Sequence, residues 1–278
     1  MAKRGAVLCS SCKRLVSASE KACPYCGALQ PTLFGFAPSL RDFFRDHFEP
    51  VWIVYSLCVA LYVTSLALDP MAALQVGDIL GLGSPSSLAL YKLGMTGGAA
   101  LQAGLWWTVL SATFLHGSLL HIFFNLSWVR GIGPLASEVF GPARFFVIFC
   151  LTGIAGYLVS NWISGAPTIG ASGAIFGLYG ALLVYGKRRG GTWGAGVSRQ
   201  AMSWAVAGFV FSLAIKGVNN IAHAGGFVAG LGLGMLMPLA ERREEARGAQ
   251  ILALILLLAL AASVVASFVT VSGALTTS

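Results

Sequence analysis

From Val51 onward, apolar runs of about twenty residues alternate with short polar breaks. Seven runs stand out, at roughly 51–68, 114–133, 144–163, 171–186, 201–218, 221–240 and 249–271. About 20 helical residues cross ~30 Å of hydrocarbon. In lipid every backbone N–H and C=O needs a partner within its own segment, so each run is predicted to be a transmembrane helix. Span four, 171–186, is the short one: at 1.5 Å per residue it covers only about 24 Å. Its first residues are therefore expected to lie below the membrane surface. The first fifty residues contain no such run, and with no apolar stretch after the opening MAKRGAV a cleaved secretory signal is not expected.

Composition agrees with this pattern. Of the 278 residues 56% are hydrophobic and 10% charged, against roughly 25% charged in soluble domains. Too little polar surface exists to clothe a soluble fold, and the same arithmetic excludes disorder, collagen and a coiled coil. The net charge of +8 is a topology mark. With the N-terminus in the cytosol, segments 1–50, 130–144, 187–199 and 241–247 face inward and hold all of the 18 Lys/Arg except Lys92 and Lys216. That is the positive-inside distribution, and no nucleic-acid partner is expected. Between spans one and two lies a long outer loop whose LQAGLWWTVL stretch, with Trp106 and Trp107, reads as interfacial.

The N-terminal segment carries a second chemistry. CSSC at 9–12 and CPYC at 23–26 form CxxC-x10-CxxC. Two such knuckles suit a tetrahedral four-thiolate zinc site, with Cys9, Cys12, Cys23 and Cys26 as ligands and Gly27 easing the second turn. The competing readings are a disulfide pair or a redox motif, and a cytosolic location disfavours stable disulfides. Such a closed site points to structural Zn2+ and to binding a cytosolic partner or to regulation. Cys58 and Cys150 fall in apolar spans and are expected to be buried thiols. Residues 31–50, mixing Phe with Arg and Asp, read as a juxtamembrane linker at the inner interface.

Ionisable and polar groups inside lipid mark function. No Asp or Glu lies mid-span and no HExxH occurs, which excludes aspartyl and zincin chemistry in the membrane. What remains is His116, His121 and Asn125 in HGSLLHIFFN, Ser172 in GASG and His223 in AHAGGFVAG. On a helix His121 and Asn125 share a face, while His116 points about 140° away from His121. Spans two, four and six run in one direction, so these clusters begin at the same end and depth. Gly170, Gly173 and Gly177 in span four, and Gly226, Gly230 and Gly234 in span six, let the backbones approach closely. Read as plain packing, the glycines and polar groups only hold helices together; read jointly, they bring His223 to Ser172. A serine beside an imidazole is a nucleophile with its base. The Ser172 backbone N–H, free at a helix start, and the side chains of His121 and Asn125 are candidate oxyanion donors. No carboxylate is placed to orient His223, so the arrangement is a dyad, with Phe176 one turn from Ser172 to pack the imidazole.

Over roughly 51–240 the chain resembles the rhomboid intramembrane serine proteases. HGSLLHIFFN resembles the family's HxxxxHxxxN, GASG its GxSG and AHAGGFVAG its AHxxGxxxG. The resemblance implies Ser172 as nucleophile, His223 as base, His121 and Asn125 as oxyanion partners and His116 as a structural histidine. It implies a six-helix core, with span seven similar to the extra C-terminal helix of some members. Two departures stand out: many members have Trp-Arg in the first outer loop where this chain has Trp107-Thr108, and Tyr where it has Phe176.

The expected architecture is an all-α polytopic membrane protein. It comprises a cytosolic zinc ribbon (1–30), the linker (31–50), a rhomboid-like catalytic core of six transmembrane helices (51–240), and a cytosolic loop with a seventh helix (241–278). The expected function is serine endopeptidase cleavage, needing no cofactor, in or near transmembrane segments of other membrane proteins. The site would open to the outer side of a plasma membrane, bacterial inner membrane by expectation. The alternative is an inactive scaffold or chaperone that binds client helices; a transporter is a weaker third, without an inverted repeat or an intramembrane acid.

Overall fold

A computed structural model describes residues 6–9, 12, 14–17, 20–27, 48–74, 79–237 and 247–276. The predicted linker as far as residue 47, and the predicted loop at 241–246, lie outside the described residues. Two short strands, β1 (Ala6–Leu8) and β2 (Leu15–Ser17), flank the first cysteine knuckle and pair antiparallel. The rest is helical: α1 (Pro50–Leu68), α2 (Pro70–Ala73), α3 (Ser87–Lys92), α4 (Gly98–Gln102), α5 (Thr108–Ser111), α6 (Leu119–Phe140), α7 (Pro142–Ile163), α8 (Ser172–Arg189), α9 (Gly191–Leu213), α10 (Asn220–Leu236) and α11 (Arg247–Thr276). Apart from this small hairpin the described chain is all-α, a bundle with helices apolar enough for a membrane.

Each predicted span coincides with a long helix. α1, α7 and α11 are each long and apolar enough to cross a bilayer, and α5 with its following 3-10 turn passes that test jointly with α6 across an 89° bend. α8 owes its lower hydropathy to glycine and to terminal charges and α9 to glycine and the polar residues of its first half, whereas α10 is apolar but only 17 residues long. α8 is the axis of the bundle, with every residue from Gly173 to Gly186 buried. A helix surrounded by protein needs no amphipathic stripe, and small residues let its neighbours close in. α10 is wedged between α7 and α8. A Cβ placed on Gly156 of α7 would lie 2.5 Å from the Ala222 carbonyl oxygen of α10, and one on Gly226 would lie 2.1 Å from that of Gly173. α1 keeps a lipid-facing surface with Trp52, Val59 and Val63 exposed.

Two boundaries and one interfacial reading differ from the sequence reading. The loop expected at 187–199 is a tight break: α8 runs on to Arg189 and α9 starts at Gly191. Gly190 makes this possible by taking φ +68°, closed to most side chains. Lys187, Arg188 and Arg189 thus decorate the end of α8, and Arg199 lies within α9 rather than in a loop. Span two begins as a helix only at Leu119, because the Ser118 hydroxyl caps it by accepting the His121 amide at 3.2 Å. His116 therefore precedes the helix, and the 140° placement, which assumed helical geometry, does not hold. The interfacial reading of the WW stretch divides: Trp106 is exposed, whereas Trp107 is half-buried against α11.

Candidate active site

The N-termini of α6, α8 and α10 meet at one end of the bundle. Ser172 is the first residue of α8, and His223 lies in the first turn of α10. Their side chains touch: His223 Nε2 is 2.8 Å from Ser172 Oγ. For Nε2 to accept the hydroxyl proton, the neutral imidazole must carry its own proton on Nδ1, and Nδ1 is buried with no protein partner. Among the described residues no carboxylate orients the ring. Phe176 does so instead, stacked on the imidazole at 4.5 Å between centroids and 16° between planes. An aromatic face needs no hydroxyl for this work, which accounts for phenylalanine at that position.

On the other side of Ser172 stand polar groups from α6. The Gly117 amide donates to His121 Nδ1 at 3.2 Å, so the neutral ring holds its proton on Nε2 and presents it as a donor. A Cβ built on Gly170 would lie 2.7 Å from that Nε2 and 3.9 Å from Ser172 Oγ. His121 Nε2 therefore faces the small space beside the serine. Asn125 Nδ2 donates to the His121 carbonyl oxygen at 2.8 Å, which fixes the orientation of the amide, and its second N–H is free to point into the cavity. His116 is fully buried, its ring 5.1 Å from that of His121 and inclined by 65°. It buttresses His121 rather than reaching the serine. Ser172, His223, Phe176, Gly117, His121 and Asn125 line a cavity of about 390 Å3, floored by Trp128 where Gly208 of α9 leaves room for the indole and bordered by Lys216. A cavity of that size takes several side chains of an extended peptide.

Gly170 has φ +121°, and a methyl group there would strike the His121 imidazole. If His121 serves as an oxyanion donor, Gly170→Ala is expected to lower turnover by about 100-fold, the cost of removing or displacing one such donor, with substrate KM nearly unchanged. Separate kcat and KM measurements check this.

Two positioning residues escaped the sequence reading. The Tyr157 hydroxyl donates to the carbonyl oxygens of Gly170 and, at 3.4 Å, Ala112. Asn219 caps α10 by accepting the Ala222 amide at 3.0 Å and donates to Ser160 Oγ at 2.6 Å and Thr168 Oγ1 at 2.9 Å. It thereby ties the helix bearing His223 to the segment leading into Ser172. Tyr157 is a polar group in an apolar run, the signal that singled out the histidines, whereas Asn219 sits in the break between two runs, where its role as a cap is the only sign.

The four N-terminal cysteines form a separate centre. Cys9 and Cys26 sulfurs are 3.8 Å apart, Cys12 and Cys23 3.6 Å, and all four lie within 4.8 Å of one another. A tetrahedron with Zn–S bonds of about 2.3 Å has edges near 3.8 Å, so the thiols fit a metal ion. The Cys9 amide donates to the Arg14 carbonyl at 2.8 Å and the Gly27 amide to that of Cys23 at 2.9 Å, closing both knuckles. A backbone hydrogen bond from Arg14 draws the Cys12 thiol down, but desolvation and hydrogen bonds with Cys26, Cys23 and Cys9 outweigh it and push the thiol up to about 11. Thiols this crowded resist ionising together until a cation joins them. Cys58 and Cys150 are fully buried in the bundle.

Comparison with known proteins identifies a rhomboid domain over residues 103–240. The chain is 29% identical to the rhomboid protease GluP of Bacillus subtilis (strain 168) over 179 residues, 64% of this chain and 35% of that protein. It is 30% identical to the rhomboid protease GlpG of Yersinia pestis (strain Pestoides F) over 200 residues, 71% of this chain and 64% of the relative. The GlpG of Yersinia pseudotuberculosis serotype O:3 (strain YPIII) matches to the same extent. The chain thus spans just under two thirds of the GlpG relatives and about a third of GluP. By its matched domain and its relatives, the chain carries a rhomboid domain over residues 103–240.

Proposed function

We propose that the protein is an intramembrane serine endopeptidase that hydrolyses peptide bonds in or near transmembrane segments of other membrane proteins. The observation that carries this reading is the 2.8 Å contact between Ser172 Oγ and His223 Nε2 beside a peptide-sized cavity between helices. Ser172 Oγ attacks the scissile carbonyl carbon as His223 Nε2 takes its proton. The carbonyl oxygen becomes an oxyanion held by the Ser172 backbone N–H, His121 Nε2–H and Asn125 Nδ2–H. The imidazolium then returns the proton to the leaving nitrogen, the C–N bond breaks, and an acyl-serine remains. A water molecule, deprotonated by the same imidazole, hydrolyses that ester and regenerates the hydroxyl.

A helical substrate protects its carbonyls within its own hydrogen bonds, so it must unwind to offer an extended bond. Segments weakened by Gly, Pro or small residues are the expected substrates. The Lys/Arg distribution supports a cytosolic N-terminus and a cavity open to the outer face of a plasma membrane, the inner membrane in a bacterial cell. The domains follow as a cytosolic ribbon, a six-helix core and a seventh helix.

The test uses purified full-length protein in lipid with a single-span substrate, beside the Ser172→Ala variant. Cleavage by the first and not the second, with a fluorophosphonate attached to Ser172, upholds the reading. Equal cleavage by both, or neither cleavage nor labelling, leaves a client-binding scaffold.

For the ribbon we propose structural Zn2+ on Cys9, Cys12, Cys23 and Cys26, supporting a surface for a cytosolic protein partner. Metal analysis of the full chain is expected to find about one zinc per molecule, and Cys23→Ser with Cys26→Ser to lose it. Zinc retained by that double variant would reject the assignment.

A further inference from the structure

The last helix has a buried stripe whose chemistry changes along its length. Ala253, Leu256, Leu260, Ser263 and Ser267 of α11 are buried at spacings of three and four, one face of a helix. Between the buried Gln250 and Ser263 it is apolar. At Ser263 and Ser267 it turns to hydroxyls that are 3% and 0% exposed. A buried hydroxyl in lipid is unfavourable without a partner, and these two reach across to the loop between α1 and α6. Ser263 Oγ donates to the Trp107 carbonyl oxygen at 2.9 Å and lies 2.9 Å from Ser111 Oγ. The Trp107 indole N–H donates to Ser267 Oγ at 3.0 Å. Ser111 in turn donates to the Gly94 carbonyl at 3.0 Å. Gly94 is pressed so close that a Cβ there would meet Ser267 Oγ at 2.9 Å.

From this clamp a short path leads to the reacting atoms. Trp107 and Ser111 bracket α5, and the 3-10 turn after it carries Ala112. The Ala112 carbonyl accepts the Gly170 amide at 2.9 Å. Gly170 borders both His121 Nε2 and Ser172 Oγ.

We infer that Ser263 and Ser267 of the seventh helix are positioning residues for the active site, holding α5 through Trp107 and Ser111 so that Ala112 fixes Gly170 in the oxyanion space. The inference rests on the protease reading for its kinetic consequence, though not for the contact itself. It also gives Trp107 an anchor that does not depend on an arginine beside it. Thr108 makes only local bonds, to the Leu105 carbonyl at 2.7 Å and to Thr96 Oγ1 at 3.1 Å. The seventh helix supplies the fastening.

The test compares wild type with Ser263→Ala plus Ser267→Ala in the full chain, in lipid. The double variant is expected to lose about tenfold in kcat with KM within about twofold, since a displaced catalytic geometry lowers the chemical step rather than binding. Leu258→Ala, on the exposed face of α11, should change neither. Trp107→Phe and Ser267→Ala each delete one side of the same hydrogen bond, so combining them should cost no more than the larger single effect. Loss in KM alone, additive effects of those two substitutions, or unchanged kcat in the double serine variant would overturn the inference. Amide exchange at 105–113 and at Gly170 reads the clamp independently of catalysis and should accelerate in the double variant. If wild type neither cleaves nor labels, the protease reading fails, and exchange alone decides: unchanged exchange removes the clamp as well.

Discussion

Alanine at Ser172 or at His223 is expected to reduce cleavage of a reconstituted transmembrane substrate by about 10^4-fold or more, and the double substitution to cost no more than the worse single one. Members of a catalytic unit act together, so removing one strands the other. Without His223 the serine hydroxyl has no acceptor for its proton: Nε2, at 2.8 Å, is its hydrogen-bond partner. Without Ser172 the imidazole has nothing to activate except water. Asn125→Ala should cost less, about 10- to 100-fold, because His121 Nε2–H and the Ser172 amide still face the oxyanion. Phe176→Leu should fall between, since the stacked ring at 4.5 Å is what holds an imidazole whose Nδ1 has no partner. Single-turnover rates with excess enzyme isolate the chemical step from substrate entry. Additive losses at Ser172 and His223 would mean that the two groups do not act as one unit.

Much of this arrangement was legible because lipid is a demanding solvent. It forces apolar runs into helices, and it makes every histidine, asparagine or serine within them conspicuous. Parallel entry of spans two, four and six then brings residues 121, 125, 172 and 223 to one end without knowledge of a single contact. The same reasoning failed where it assumed helix beyond the cap. His116 stands outside α6 because the Ser118 hydroxyl competes for the first free amides, and that competition is local and easily overlooked among apolar neighbours. The turn at Gly190 was hidden by its charges, which read as a loop although two positive-φ glycines let α8 and α9 nearly meet. The loop from 69 to 118 was beyond pattern reading altogether. Its short helices α2 to α5 are too brief for periodicity to register and are held by particular tertiary bonds, such as the Thr168 amide to the Thr96 carbonyl at 2.8 Å. The seventh helix showed its span but not its purpose, since two serines in an apolar run carry no sign of their partner some 160 residues away.

Gly226→Ala should cost about 100-fold in turnover, although it adds one methyl group on neither Ser172 nor His223. That methyl would sit 2.1 Å from the carbonyl oxygen of Gly173, well inside van der Waals contact, and backbone cannot swing aside as a side chain can. α10 must therefore move away from α8. His223 and Ser172 ride on these two helices within one turn of the contact, and a misplacement of about 1 Å costs on the order of 10^2 in rate. Gly230→Ala meets the Gly177 carbonyl at 2.0 Å, and Gly234→Ala the Ala181 carbonyl at 2.8 Å. Each should destabilise the bundle by about 1–3 kcal/mol, as overpacking does. Distance from the dyad separates the two effects: the loss of turnover should diminish from residue 226 to 230 to 234 more steeply than the loss of thermal stability. Gly232 supplies the comparison on the same helix. A Cβ there meets nothing within 4 Å, so Gly232→Ala should leave turnover intact and raise stability slightly through better helix propensity. Equal turnover of Gly226→Ala and Gly232→Ala would show that the close approach of α8 and α10 is not what sets the serine–histidine distance.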